Sequence, residues 1–247
     1  MPFDGRSFTL SACLFASFCL LINSPATAQP QDEAFKVVAQ WNIDIVMREY
    51  PADDQITEYR ISEGGAVSSE GSGKPVRSVP EEIEYLVKHD DNDVVLFGKP
   101  KIRAGDFLKT YAAFDERLKG RVRFGGLAEL HDTANFSNPQ GNHLGEDTLK
   151  LLGRINGFRH FAYVRSGTRH RCDTYLNVVP TDRMELLKRG HDLRNYLDQK
   201  GEPSDYRLTL FVDPQSDYQC LGSAIYTLLF TGFTSFSMEL VEQAEKK

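Results

Sequence analysis

The sequence predicts an α+β fold, a single domain in which a mixed or mostly antiparallel sheet packs with helices. Three observations predict it. Segments with an apolar residue at every second position are interleaved with segments of helical 3.6-residue spacing. The two kinds do not alternate strictly, as a doubly wound parallel sheet would require. And 247 residues, 40% of them hydrophobic and 26% charged, are enough to bury a core. The same composition excludes wholesale disorder, a collagen-like repeat and a disulfide-dense mini-protein.

The elements follow in order. Residues 29–34 are polar and read as a loose end. Val37, Ala39, Trp41, Ile43, Ile45 and Met47 alternate, which predicts a half-buried strand over residues 37–47. Residues 57–61 repeat the pattern and are the nearest strand for it to pair with. Residues 63–79 are rich in Gly and Ser and predict a flexible surface loop. Ser78, Pro80, Glu81 and Glu82 are helix-start signals for residues 78–89. Residues 93–98 form a dense apolar strand. In residues 104–118, Phe107, Leu108, Tyr111, Phe114 and Leu118 make a helical stripe that reads as core, with Gly120 as its stop. Residues 121–124 read as a strand, and residues 125–143 show no clear periodicity. A helix over residues 145–156 turns Leu149, Leu152 and Ile155 inward. Two strands, 158–164 and 173–179, read as a hairpin with a long connection. Thr181 is placed to cap the longest helix, which runs to about Lys200 and carries Gly190 as a point of close packing or a kink. A strand over 207–212 and a buried helix over 220–230 follow. The tail, 237–247, reads as a short amphipathic or frayed helix.

The N-terminus indicates destination. An uncharged apolar run, residues 9–22, follows Arg6 and is closed by Asn23, Ser24 and Pro25, then by Ala26, Thr27 and Ala28. That is the pattern of a secretory signal peptide, residues 1–28, with cleavage expected after Ala28. A membrane span needs about 20 apolar residues, and neither this run nor any later segment reaches that length. The expectation is an exported, soluble chain, secreted or periplasmic, in which residues 29–247 make one domain. Cys13 and Cys19 fall in the apolar run, which leaves Cys172 and Cys220. In an oxidising compartment these two read first as a disulfide. Free buried thiols and a nucleophilic cysteine are the alternatives.

Motifs restrict the chemistry mainly by absence. The sequence contains no G-x-x-x-x-G-K-[ST], no G-x-G-x-x-G after a strand, no H-E-x-x-H, no G-x-S-x-G and no C-x-x-C. Two constellations remain. His131, Asp132, His143 and Glu146 bring together residue types that ligate zinc, and His143 and Glu146 would share a helix face if the helix began early enough. This is the basis for an alternative reading as a metal-dependent hydrolase, zinc being the one cofactor it would need. Glu146 also suits a first helical turn for electrostatic reasons alone. The second is a basic run. Arg154, Arg159, Arg165, Arg169 and Arg171 lie in residues 153–171 with no Asp or Glu among them, although the whole chain carries a net charge of −6. Strand alternation puts Arg159, Phe161, Tyr163 and Arg165 on one face. Arginine suits bidentate recognition of carboxylate or phosphate. Arg159, Phe161, Tyr163, Arg165, Arg169 and Arg171 are therefore the expected contacts for an anionic small molecule, an acidic polysaccharide or a protein partner. Pairing with the protein's own carboxylates is the structural alternative. Nucleic acid does not fit an acidic exported domain. Ser223, His191 and Asp192, or Cys220 with His191, can be assembled as a nucleophile set, but no local motif supports them.

The C-terminal part, with Asn177 and Val178 before a helix and then Cys220, Leu221 and Leu229, resembles a secreted bacterial family of uncharacterised proteins with a zincin-like layout. The motif helix of that family carries an acidic pair. Here Ser223 and Ala224 stand in its place, Thr227 replaces a Gln, and Phe230 a Gly. The resemblance implies a relative that lacks the chemical groups of that helix. Together these readings give the functional expectation, an exported binding protein without catalysis.

Overall fold

The computed structural model describes residues 35–45, 56–69, 78–89, 91–136, 144, 146–157, 159–167 and 171–243. Residues 1–28, read as a signal peptide, and His143 and Arg169 lie outside them. The elements are β1 (Phe35–Asp44), β2 (Ile56–Ile61), β3 (Val67–Ser69), α1 (Val79–His89), β4 (Asp93–Gly98), α2 (Ala104–Leu118), β5 (Val122–Phe124), α3 (Leu127–Thr133), α4 (Glu146–Ile155), β6 (Phe161–Ser166), β7 (Cys172–Leu176), β8 (Val179–Thr181), α5 (Arg183–Gln199), β9 (Arg207–Val212), α6 (Tyr218–Leu229) and β10 (Ser235–Gln243). The α+β class is as the sequence predicts. The described residues, from Phe35 to Gln243, fall in one compact unit.

The strands build two mixed sheets. The larger has the order β1-β10-β9-β6-β7-β8, the smaller β3-β2-β4-β5. In the larger, β10, β9 and β6 run parallel and the outer pairs antiparallel. In the smaller, β2, β4 and β5 are parallel, because α1 and α2 return the chain to the same end. Its partners are a correction: β2 pairs with β3 and β4, not with β1. The loop expected at 63–79 contains structure at its start, a 3-10 turn at Glu63–Gly65 and then β3. One hydrophobic cluster takes residues from both sheets, from the aromatic stripe of α2 and from α6. A smaller cluster lies under α4 on the opposite face of the larger sheet.

Local chemistry accounts for most boundaries. Asp182, not Thr181, caps α5, accepting the Glu185 N–H at 2.8 Å. Thr181 ends β8, and its hydroxyl donates to the Thr174 carbonyl. Gly190 is the expected close approach: a Cβ there would stand 2.7 Å from Thr231 Cγ2. Ile155, expected inward, is exposed at the end of α4.

The tail is the largest departure. Residues 235–243 are a strand, inserted between β1 and β9. Phe236, Met238 and Leu240 face the main core with period two. The closing Glu and Lys residues give the tail an amphipathic, helical appearance that burial overrides. Glu239, on the other face of β10, is 8% exposed. Burial pushes its carboxyl above the ordinary glutamate range. A folded-state value above the unfolded one means that the native state holds the proton more tightly. The stabilising contribution is then full below the unfolded value and is lost as pH rises through the folded value. Glu239→Gln is therefore expected to raise the urea midpoint at pH 7 and to leave it nearly unchanged at pH 4. An equal effect at both pH values would refute the assignment.

Candidate functional site

The arginine stretch does not form the open face that the sequence predicts. Strand alternation is as expected, but the face with Phe161 and Tyr163 is covered. Both rings pack with Phe35, Leu149, Leu152, Tyr175 and Phe211, and are 3% and 2% exposed. Phe161 stands 5.5 Å from Phe211 and Tyr163 5.8 Å from Phe35, ring centre to ring centre. Burial holds the Tyr163 phenol far above its usual range. Period two tells which residues share a face and not whether a helix lies over it; α4 does so here. Arg165 Nε is bonded to Asp173 Oδ2 at 3.2 Å, with both side chains largely buried. Only Arg159 and Arg171, among the described members of the set, are exposed.

The 131–147 residues are similarly tied into the fold. His131 lies on α3 and turns toward α6. Its Nδ1 is 3.3 Å from Ser223 Oγ and 3.4 Å from Thr227 Oγ1, and its ring centre is 4.8 Å from that of Tyr226. Arg183 donates to the His131 and Ala134 carbonyls. Burial first, and then the Arg183 charge, draw the His131 pKa below its ordinary value. Asp132 is exposed. Glu146 pairs with Lys150 at 2.8 Å, and that hydrogen bond lowers its carboxyl below the usual range. Among the described residues no group of three or more His, Cys, Asp or Glu side chains is arranged to hold a metal ion. The nucleophile set is not assembled either. Ser223 is fully buried and contacts His131, whereas His191 and Asp192 are exposed on α5. Cys220 stands at disulfide distance from Cys172, with the Cα atoms 5.1 Å apart.

A cleft that the sequence reading missed lies between the larger sheet and α2. Its volume is about 390 Å³, within the range of small-ligand pockets. Trp41, Asn42 and Ile43 of β1 form one wall; Lys109, Ala112, Ala113, Asp115 and Glu116 of α2 form the other, with Tyr111 behind. Lys109, Ala112, Ala113 and Glu116 recur at three- and four-residue spacing and share one helix face. Two adjacent alanines on that face leave the space that larger side chains would fill. The Tyr111 hydroxyl donates to the Val122 carbonyl at 3.0 Å and fixes the rear wall. Burial, and then Asp115 and Asp44, push its pKa well above the tyrosine range. Asp115 Oδ1 accepts the Gly120 N–H at 3.4 Å, and Asp44 is bonded to Arg207 at 2.8 Å. The signal was present in the sequence, in the chain's one tryptophan and the Ala112–Ala113 gap in the α2 stripe.

No family model matches the chain, and no curated protein matches it.

Proposed function

We propose that this chain is an exported binding protein without a catalytic role, and that it takes its ligand in the cleft between β1 and α2. The cleft carries the reading. It sets an indole, an isoleucine and two alanines beside Asn42, Lys109, Asp115 and Glu116, so that apolar contact and polar recognition are offered in similar measure. Export is supported by the leader pattern of residues 1–28 and by the buried cysteine pair at disulfide distance. Among the described residues no helix is long and apolar enough to cross a membrane. The resemblance to the zincin-like secreted family is compatible with a binding role, because Ser223 and Ala224 stand where that family has its acidic pair. Of the partner classes the sequence raises, a polypeptide fits this cleft better than an acidic polysaccharide, since Asp115 and Glu116 would repel uronate or sulfate groups.

Trp41 is the only tryptophan, so its emission reports on the cleft alone. Short peptides and neutral and acidic oligosaccharides are screened by thermal shift, each with Trp41 emission recorded. A ligand at 100 times its Kd is expected to stabilise by about 2.7 kcal/mol, to shift the Trp41 spectrum, and to lose both effects in Ala112→Phe, whose ring fills the space. Stabilising ligands that leave Trp41 emission and the Ala112→Phe affinity unchanged would place the binding site elsewhere.

A further inference from the structure

We propose that the outer edge of β1 receives an extended segment of a partner polypeptide, which joins the larger sheet as a seventh strand and seats apolar side chains in the cleft. The proposal rests on the cleft reading above and specifies its ligand.

The first observation is the position of β1 at the end of the sheet. Among the described residues β1 pairs only with β10. A strand with one neighbour presents a row of backbone donors and acceptors on its other side, a template for another chain. The register of β1 is broken by a bulge between Val37 and Ala39, then runs unbroken from Ala39 to Asp44. Bulges and edge charges are the usual guards against pairing. Here the bulge guards only the first part, and residues 39–43 carry no charge. Six residues of regular strand span about 20 Å, enough to align a short segment.

The second observation is where the cleft lies. Successive strand side chains point to opposite faces. Ile43 belongs to the main core and Trp41 packs against it, whereas Gln40, two residues before Asn42, bonds Ser237 on the other face. Trp41, Asn42 and Ile43 of the outermost strand form the sheet wall of the cavity, which therefore lies at the margin of the sheet. An added strand would run along that margin. The residues it turns toward α2 would meet Trp41, Ala112 and Ala113.

Charge then selects the occupant. Lys109 and Glu116 are seven residues apart, about 10 Å along α2. Asp115 and Glu116, adjacent on α2, put two carboxylates at the end of the cleft away from Lys109. The segment that fits has alternate apolar residues and a Lys or Arg near that end. A second copy of β1 fits less well, because its residues 39–43 would bring those carboxylates no cation.

The probe is the acetylated and amidated hexapeptide Lys-Val-Leu-Val-Arg-Val, added to the full chain. It is expected to give a saturable shift of Trp41 emission and at least tenfold slower hydrogen exchange at alternate amides of residues 39–44. Two N-methylated forms supply the decisive comparison, since they need no change to the protein. Methylating one alternate set of peptide amides, those that face β1, should weaken binding at least tenfold. Methylating the other set should leave it unchanged. Ala112→Phe, with its melting temperature checked, should also weaken binding at least tenfold. Equal affinity of the two N-methylated forms overturns strand addition, and so does unchanged exchange over residues 39–44. Protection of those amides by self-association without peptide overturns it in favour of a second copy. An oligosaccharide that shifts Trp41 where the peptide does not overturns strand addition while leaving the cleft reading intact. Failure of every probe to move Trp41 removes both.

Discussion

Replacing Cys172 and Cys220 together by alanine is expected to lower the unfolding free energy by about 4 kcal/mol. The two residues are 48 apart in sequence, and a link between them closes a loop of that size in the unfolded chain. The entropy removed from the unfolded ensemble grows with loop length, and for this loop the chain-entropy relation gives that figure. The native state sets the same expectation from the other side. Both residues are buried, Cys172 at the start of β7 and Cys220 in the first turn of α6, so the link ties the larger sheet to the helix that fills the main core. For a domain of this size the change corresponds to a melting temperature lower by roughly 10 °C. The measurement compares urea unfolding of the oxidised protein, the same protein in reductant, and the double alanine variant. Reduction should account for most of the loss, and the variant should respond to reductant no further. Identical midpoints with and without reductant would show that no bond forms, and the argument for an oxidising compartment would lose its chemical support.

What the sequence made legible, and what it did not, divides along a physical line. Periodicity is a local property, and the elements it marks are present: the α2 stripe of Phe107, Tyr111 and Phe114, the apolar strand β4, the helix α6 and the β6–β7 hairpin. Pairing is not local. Nothing within residues 56–61 distinguishes β1 from β4 as a neighbour, and the choice falls to the α1 crossover. Coverage is not local either. Phe161 and Tyr163 alternate with Ala162 and Val164, so both faces of β6 are apolar. That pattern belongs to a strand buried on both sides, and the arginines at its two ends drew the reading toward a surface. The tail was misread because Ser235, Ser237 and Glu239 are polar yet buried, so the burial that makes β10 a strand is invisible in its hydropathy. The cleft escaped for a similar reason. Its walls come from residues 41–43 and 109–116, and only the folded chain brings these segments together.

Phe107→Ala is expected to cost about 3–5 kcal/mol, and to do so without dividing the unfolding transition. Phe107 is fully buried where α2 meets β5 and α6. Its ring is stacked on Tyr218 of α6 at 3.8 Å and lies 5.4 Å from Phe124 of β5 and 6.3 Å from Tyr111, centre to centre. Such pairs add about 0.5–1.5 kcal/mol beyond their buried area. Gly98 provides the space: a Cβ there would stand 2.4 Å from Tyr218 Cδ1 and 2.9 Å from Phe107 Cδ2. One side chain on α2 thus joins the end of β4, β5 and α6, elements of the smaller sheet and of the helix packed on the larger one. Truncation leaves a cavity walled by the rings of Tyr218, Phe124 and Tyr111, which is why the expected loss lies in the upper range for core deletions. Phe107→Leu keeps part of the contact and should fall between wild type and alanine. Gly98→Ala attacks the same contact by crowding, with a cost of about 1–3 kcal/mol. Because this cluster connects the two sheets, the urea midpoint should fall while the m-value stays constant, the mark of one cooperative unit. A second, separate transition in Phe107→Ala would mean that each sheet holds together alone, and that α2 and α6 meet as a junction between two folding units. In that case the cleft between β1 and α2 would lie across that junction, and its shape would depend on a contact that the variant had removed.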